Sequence, residues 1–328
     1  MVTSVAGRID YYRRAFLAYG LGVRSQLSFW HEPSEINQAA FSSGASGYYM
    51  TFRQKARYAG PFDAQGVPLL NYRGRLGVQY NPIAVAQYGL AHYNVYLETG
   101  QTLHRQACLW QADWLVANLE QNAQGVPVWR HHFDWHYRDG LKAPWASGLA
   151  QGQGVSLLLR AHLLTGDGSY AEAAGRAFQA LRREMSQGGV AYRDGHGGLW
   201  FEEYLVAPPS HILNGFIAAA WGVHDYARFR QDAEAEALFR AATETLLDNL
   251  PRYDAGYWSC YELRDGGMPM LASPFYHALH ITQLEAMGRL TGRGQFTAWA
   301  RRWRSYQKSP LNRARALAHK ALFKLRYY

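Results

Sequence analysis

The stretch "WASGLAQGQGVSLLLRAHLLTGD", residues 145–167, decides how the chain is read. Apolar residues recur through it at helical spacing, and Leu164-Thr165-Gly166 closes it as a helix end, with Gly166 leaving in left-handed geometry. A second helical pattern follows the polar turn, so the unit is a helical hairpin spanning 144–165 and 169–186. Working outward, similar openings fall near Pro82, Pro208 and Ser273, about 63 residues apart. They predict hairpins over 82–98 with 103–121, 208–228 with 232–250, and 273–291 with 294–307. Leu-Thr-Gly returns at 290–292, and Pro82 and Pro208 suit first-turn positions.

Aromatic, Gly-rich connectors join the hairpins: "GVPVWRHHFDWHYRDG", "GGVAYRDGHGGLWFEEY" and "YDAGYWSCYEL". They read as short strands. A hairpin cannot bury its apolar stripe alone, so successive hairpins must stack. The expected fold is mainly α, an incomplete (α/α) toroid of about four hairpins whose connectors gather at one mouth. The expected organisation is a small mixed segment over 1–78, a toroid over 79–310 and a basic helix over 311–328. A helix is expected at 8–20, and the rest of the first segment is expected to close the ring as strands.

The chain has 328 residues, 48% hydrophobic and 18% charged, a composition that excludes disorder. Its rings (Trp 11, Tyr 23, Phe 14) exceed ordinary core needs and fit either core packing or a groove for flat, partly apolar ligands such as sugars. Cys108 and Cys260 make neither a disulfide scaffold nor a metal motif. No apolar run reaches the roughly 18 residues of a membrane span, and the first ten residues lack a signal-peptide pattern, so a cytoplasmic protein is expected. The net charge of +9 sits wholly in the tail: residues 301–328 hold nine Lys/Arg and no acid. With the remaining body balanced and no nucleic-acid-binding motif present, nucleic acid is not an expected partner.

The chemistry concentrates in "LWFEEYLVAPPSHILNGF", where Glu202, Glu203 and Tyr204 precede a helix. The glutamates would serve either as helix N-terminal charges or as acid–base groups. "SCYELRD" adds Tyr261 and Arg264, and "SPFYHALHITQL" adds Tyr276, His277 and His280. The "HHFDWHYRD" cluster (His131, His132, Asp134, His136) lacks a spaced partner for zinc, and "LAQGQGVS" lacks the Lys-Ser/Thr of a phosphate loop and reads as a closely packed helix. No metal or cofactor is expected. Tyrosine beside a carboxylate or arginine recurs at the connector ends, a set that suits proton abstraction next to a sugar carboxylate. Donors or a cation must then stabilise the enolate-like intermediate.

At these residues the chain resembles the catalytic C-terminal domain of the heparosan/heparan-sulfate D-glucuronyl C5-epimerases. The resemblance rests on "YNPIAVAQYGLAHY" (80–93), residues 145–167, "WFEEYLVAPPSHILNGF" (200–216), "YELRDGGMPMLASPFYHALHITQL" (261–284) and "RRWRSYQKS" (301–309). It implies catalytic roles for Glu203, Tyr204, Tyr261 and Tyr276, and substrate binding by Arg264, Asn214, His277, Gln151, Gln153 and Tyr88. It further implies an anionic uronate-containing polysaccharide as partner. The chain departs from the family pattern at Leu205, where the family has proline, and at "ASPFYH", where it has "ARWDYH". Residues 1–78 stand in place of the large β-rich part of animal members with its calcium site, and the absence of a Golgi anchor fits a microbial member. A uronate polysaccharide lyase, and a noncatalytic polysaccharide-binding or secretion-accessory protein, are the alternatives.

The tail, "LNRARALAHKALFKLRYY" (311–328), places Leu311, Ala314, Leu317, Ala318, Ala321, Leu322 and Leu325 along one stripe beside Arg313, Lys320 and Lys324. It reads as a closing helix of the toroid packed through that stripe, as a trap for anionic polymer, or as a peripheral contact with an anionic membrane near an export machine. A homodimer is a further open expectation.

Overall fold

In the computed structural model, residues 29–327 are described, apart from 43, 45, 137, 139 and 265. The helix expected at 8–20 lies outside the described residues. The molecule is mainly helical. Its hairpins are α1 (Pro82–Thr99) with α2 (Thr102–Ala117), α3 (Gly148–Thr165) with α4 (Gly168–Arg182), α5 (Leu213–Arg230) with α6 (Ala233–Asn249), and α7 (Pro274–Thr291) with α8 (Gly294–Lys308). A further helix, α9 (Pro310–Tyr327), follows.

Local chemistry explains the boundaries. Asn81 caps α1 by accepting from the amides of Ile83 and Ala84, with Pro82 at the first helical position. Gly100, Gly166 and Gly292 end α1, α3 and α7 at φ of 67°, 72° and 67°, the last two as the Leu-Thr-Gly signal requires. Pro208 departs from expectation: α5 opens at Leu213, and Pro208 lies in the preceding loop.

The first helices of the hairpins form an inner layer in which α1 packs on α3, α3 on α5 and α5 on α7. Of these, α1, α3 and α5 are buried nearly all round over their first turns. The glycines of "AQGQG" serve close packing. A Cβ at Gly152 would strike the α5 backbone at Ala219, and one at Gly222 would strike Gly152. The second helices lie outside and are amphipathic.

The connectors carry short antiparallel pairs: β3 (Glu120–Gln121) with β4 (Pro127–Val128), β5 (Arg130–His131) with β8 (Trp145–Ala146), β6 (Trp135–His136) with β7 (Gly140–Leu141), and β9 (Ala191–Arg193) with β10 (Leu199–Phe201). A hairpin of β1 (Leu69–Arg73) and β2 (Gly77–Tyr80) precedes α1.

Residues 34–42 and 46–52 reach from α1 to α7, joined to each other by a single antiparallel bridge between Ile36 and Met50 and not as the expected strands. Their backbone is irregular around a short 3-10 turn at Gln38–Phe41 and is held by side chains from the inner helices. Asn94 of α1 accepts from the Tyr48 amide (2.8 Å) and donates to the Met50 carbonyl (2.8 Å). Thr282 of α7 donates to the Ser34 carbonyl (3.4 Å). Arg160 of α3 spends all five N–H donors: on the carbonyls of Ser46, Gly47 and Ser156, and on both oxygens of Asp225 in α5 (2.5 and 3.2 Å). Tyr49 donates to the same carboxylate at 2.5 Å. Asn94, Arg160 and Asp225 sit toward the C-terminal ends of their helices, so this segment plugs that end of the inner layer.

Candidate active site

The opposite end stays open. A cavity of about 410 Å³ lies at the N-terminal ends of the inner helices. Each contributes from its first turns: Asn81 and Gln87, Leu149 and Gln153, Asn214 and Ala218, Tyr276 and Gln283. The plug supplies a floor of Met50 and Phe52. Connector rings form the walls, with Phe133, Trp135 and Trp145 on one side and Trp30 and Tyr72 completing them. The aromatic excess therefore has two homes: Trp129, Trp200, Trp258 and Trp303 are fully buried core side chains, while other rings, the buried Trp221 among them, line the cavity.

The strand β10 positions the acids. Backbone alternation turns successive residues to opposite sides, and Glu202 and Glu203 part accordingly. Glu202 is sealed inside against His211, whose amide donates to it (3.0 Å) and whose Nδ1 lies 2.5 Å away. This contact and the stacking of His211 on Trp200 hold His211 at a left-handed φ of 47°. Glu203 turns into the cavity. Its carboxylate lies against the first turn of α5, where a Cβ at Gly215 would collide with it, and Asn214 Nδ2 donates to it at 3.3 Å. Burial, together with the charge of Glu202, pushes the Glu203 carboxyl up to about 8, against the bonds from Tyr204 and Asn214. Tyr204 also lines the cavity. Burial and then the neighbouring charges of Glu203 and Tyr276 hold its phenol well above the usual tyrosine value, so it stays protonated. Tyr276 reaches the same cavity from α7.

Amides surround these groups. Gln87 Nε2 donates to Gln153 Oε1 (3.0 Å), and Gln283 Nε2 to the Asn214 carbonyl (2.9 Å). Gln87 Oε1, Asn214 Oδ1 and Gln283 Oε1 are buried acceptors with no donor from the protein. Such atoms suit hydroxyl donors of a ligand. Among the described lining residues the one Lys/Arg side chain is Lys55, buried with Glu32 (3.6 Å) and lying 4.4 Å from the Phe29 ring centroid.

Of the residues singled out from sequence, Glu203, Tyr204, Tyr276, Asn214 and Gln153 therefore converge on one cavity. Others lie elsewhere. Tyr261 stands behind Tyr276 with ring centroids 4.8 Å apart, buried with Ile212 and Ala272. Arg264 lines a separate 140 Å³ cavity with Arg138, Arg252 and Glu262. Gln151 pairs with both backbone groups of Trp129 (3.1 and 3.2 Å), completing the connector as a strand would. His277 is core: it stacks on Trp258 at 3.8 Å and meets Ser259 Oγ (2.8 Å) and the Trp303 carbonyl (3.0 Å). Tyr88 packs on Phe62 and His92, on the far side of α1 from its neighbour Gln87. His131 stacks on Trp145, His132 meets Glu120 (2.6 Å) and Asp134 binds Lys142 (2.6 Å). Among the described residues no three His, Cys, Asp or Glu side chains assemble as metal ligands. Sequence reading passed over Gln87, Gln283 and Lys55; a glutamine in a helix otherwise buried all round was the available signal for the first two.

The model of the D-glucuronyl C5-epimerase C-terminus matches residues 122–305, more than half of the chain. The chain belongs to the D-glucuronyl C5-epimerase family. It is 33% identical over 221 residues to the D-glucuronyl C5-epimerase of Caenorhabditis elegans, covering 62% of this chain and 35% of that protein. It is 28% identical over 198 residues to an uncharacterized protein of Methanocaldococcus jannaschii, covering 59% of this chain and 62% of that protein. The match thus spans about a third of the worm epimerase and under two thirds of the archaeal relative. Among solved structures, an α-1,6-mannanase from Salegentibacter shares the fold, with a TM-score of 0.53 at 15% identity over 79% of this chain and 69% of that one. Cavity residues Glu203, Tyr204, Asn214 and Tyr276 all fall within the family match.

Proposed function

We propose that this chain is a polysaccharide uronate C5-epimerase on an incomplete α/α toroid, converting D-glucuronate to L-iduronate units in a heparosan-like polymer. The observation that carries the reading is the convergence of Glu203, Tyr204 and Tyr276, from two separate segments, on one amide-lined cavity. A general base works best with a pKa near the working pH, which is where burial sets Glu203. Ionised Glu203 takes the C5 proton, and the electron pair left on C5 delocalises into the uronate carboxyl group. Lys55 and the cavity amides stabilise that negative charge, the part expected of Arg264. Tyr276 returns a proton from its hydroxyl to the opposite face of C5, giving the epimer. Solvent then removes the proton from Glu203 and restores that of Tyr276. Tyr204, held protonated beside Glu203, donates to its carboxylate.

The test is incubation with heparosan in deuterated water, following C5 exchange by NMR. Exchange without chain cleavage is expected, and Tyr276→Phe is expected to lower it by about 10²-fold while the fold is kept. Unsaturated, ultraviolet-absorbing product would identify a lyase instead. Binding without exchange would identify the noncatalytic alternative.

A further inference from the structure

The last helix does not pack as its sequence stripe suggests. α9 docks through Ala316 and Phe323, which are buried, and through His319 and Tyr327. His319 meets the Tyr257 hydroxyl (3.0 Å) and the Pro269 carbonyl (2.8 Å), and Tyr327 accepts from the Met268 amide (2.9 Å). These positions form one face at helical spacing. The opposite face holds Leu311, Ala314, Leu317, Ala318, Ala321, Leu322 and Leu325, all exposed. The four leucines are 69%, 71%, 59% and 82% exposed; among the other large apolar side chains described, Leu103 alone exceeds 50%.

Charge lies along both margins of this strip. On an ideal helix Arg315 and Arg326 fall along one edge and Arg313 and the half-buried Lys324 along the other, while Lys320 turns toward the docked face, where burial pulls its ammonium down to about 8. No acidic residue lies anywhere in 301–328. An apolar strip edged on both sides by cations, on a helix that spans about 27 Å (1.5 Å per residue), matches the demands of a bilayer interface. The leucines enter the acyl boundary and the exposed arginines meet anionic headgroups. No described helix is long and apolar enough to cross a membrane.

We propose that α9 is a docking surface for an anionic membrane, on which the protein lies peripherally. This inference stands independently of the reading of the cavity. The experiment is sedimentation of the full-length protein with vesicles of neutral phosphatidylcholine and of phosphatidylcholine mixed with phosphatidylglycerol. Binding to the mixed vesicles is expected, and it should weaken at least tenfold at high salt. Leu317→Glu with Leu325→Glu should lower it at least tenfold while melting temperature stays unchanged, because both leucines face outward. Arg313→Glu with Arg326→Glu should lower it on mixed vesicles alone. Three results would overturn the proposal. The first is failure of the wild-type protein to bind mixed vesicles. The second is equal binding to neutral ones. The third is lipid-free dimerisation that the leucine variants abolish, which would assign the face to a second copy.

Discussion

The two ends of the inner helix layer bury ionisable groups under similar constraint and treat them oppositely. At the C-terminal end Arg160 and Asp225 sit fully buried, every guanidinium N–H is spent, and Tyr49 adds a further donor. At the N-terminal end Glu203 is as deeply enclosed, but its partners are an asparagine and a tyrosine. A cation partner stabilises a buried carboxylate in its charged form; neutral donors compensate only in part. One end is therefore spent on holding the helices together. The other keeps a carboxyl whose proton can move near neutral pH, at a cost in stability.

That contrast can be broken by experiment. The largest effect expected is at the plugged end. Arg160→Met leaves Asp225 buried without its cation and should cost about 3–5 kcal/mol, read by chemical denaturation. A loss below about 1 kcal/mol would mean that the plug contributes little and that the two ends do not differ.

The open end should respond with the opposite sign. The Glu203 carboxyl is raised in the folded protein to about 8 from an ordinary value of 4.5. Between those values the folded chain holds a proton that the unfolded chain has lost. Its stabilising contribution is thus fully present at low pH and disappears as pH rises through 8, at up to about 1.4 kcal/mol per pH unit. Glu203→Gln does not titrate. The variant should be inactive yet more stable than the wild type at pH 9, and its stability should depend less on pH. Parallel stability curves for the two proteins would remove the burial argument.

The smallest effect sharpens the division between the two cavities. Arg264→Lys should leave KM for the polymer within about twofold, because Arg264 lines the smaller cavity, whereas Lys55→Met should raise KM about tenfold. A large rise in KM for Arg264→Lys alone would return the carboxylate-binding role to Arg264.

The helical hairpins were legible because periodicity, the Leu-Thr-Gly ends and Pro82 are local signals, and apart from the start of α5 the observed boundaries lie close to those expected. Glu203, Tyr204 and Tyr276 were legible as cavity residues because their motifs lie where connectors meet helices, and Asn214 through the family resemblance alone. What remained hidden was side-chain direction. His277 and Tyr276 are adjacent, yet Trp258, Ser259 and Trp303 draw one into the core while the other faces the cavity. The same rotation by one residue separates Gln87 from Tyr88. The plug was hidden for another reason: beyond one antiparallel bridge between Ile36 and Met50, many of its backbone groups bond to side chains of distant helices, and it is too short a pairing to leave a strand alternation.

The plug also sets the order in which the molecule can assemble. Thr282 meets the Ser34 carbonyl across 248 residues of sequence, and Arg289 meets Gln38 across 251. A ribosome delivers residues 34–52 before any helix that holds them, and α7 is the last of those helices to emerge. Successive hairpins can form locally as they emerge, but these contacts are among the most non-local of those described and must wait until α7 has emerged. The segment synthesised early is thus fixed late, once the last of the inner helices is there to hold it.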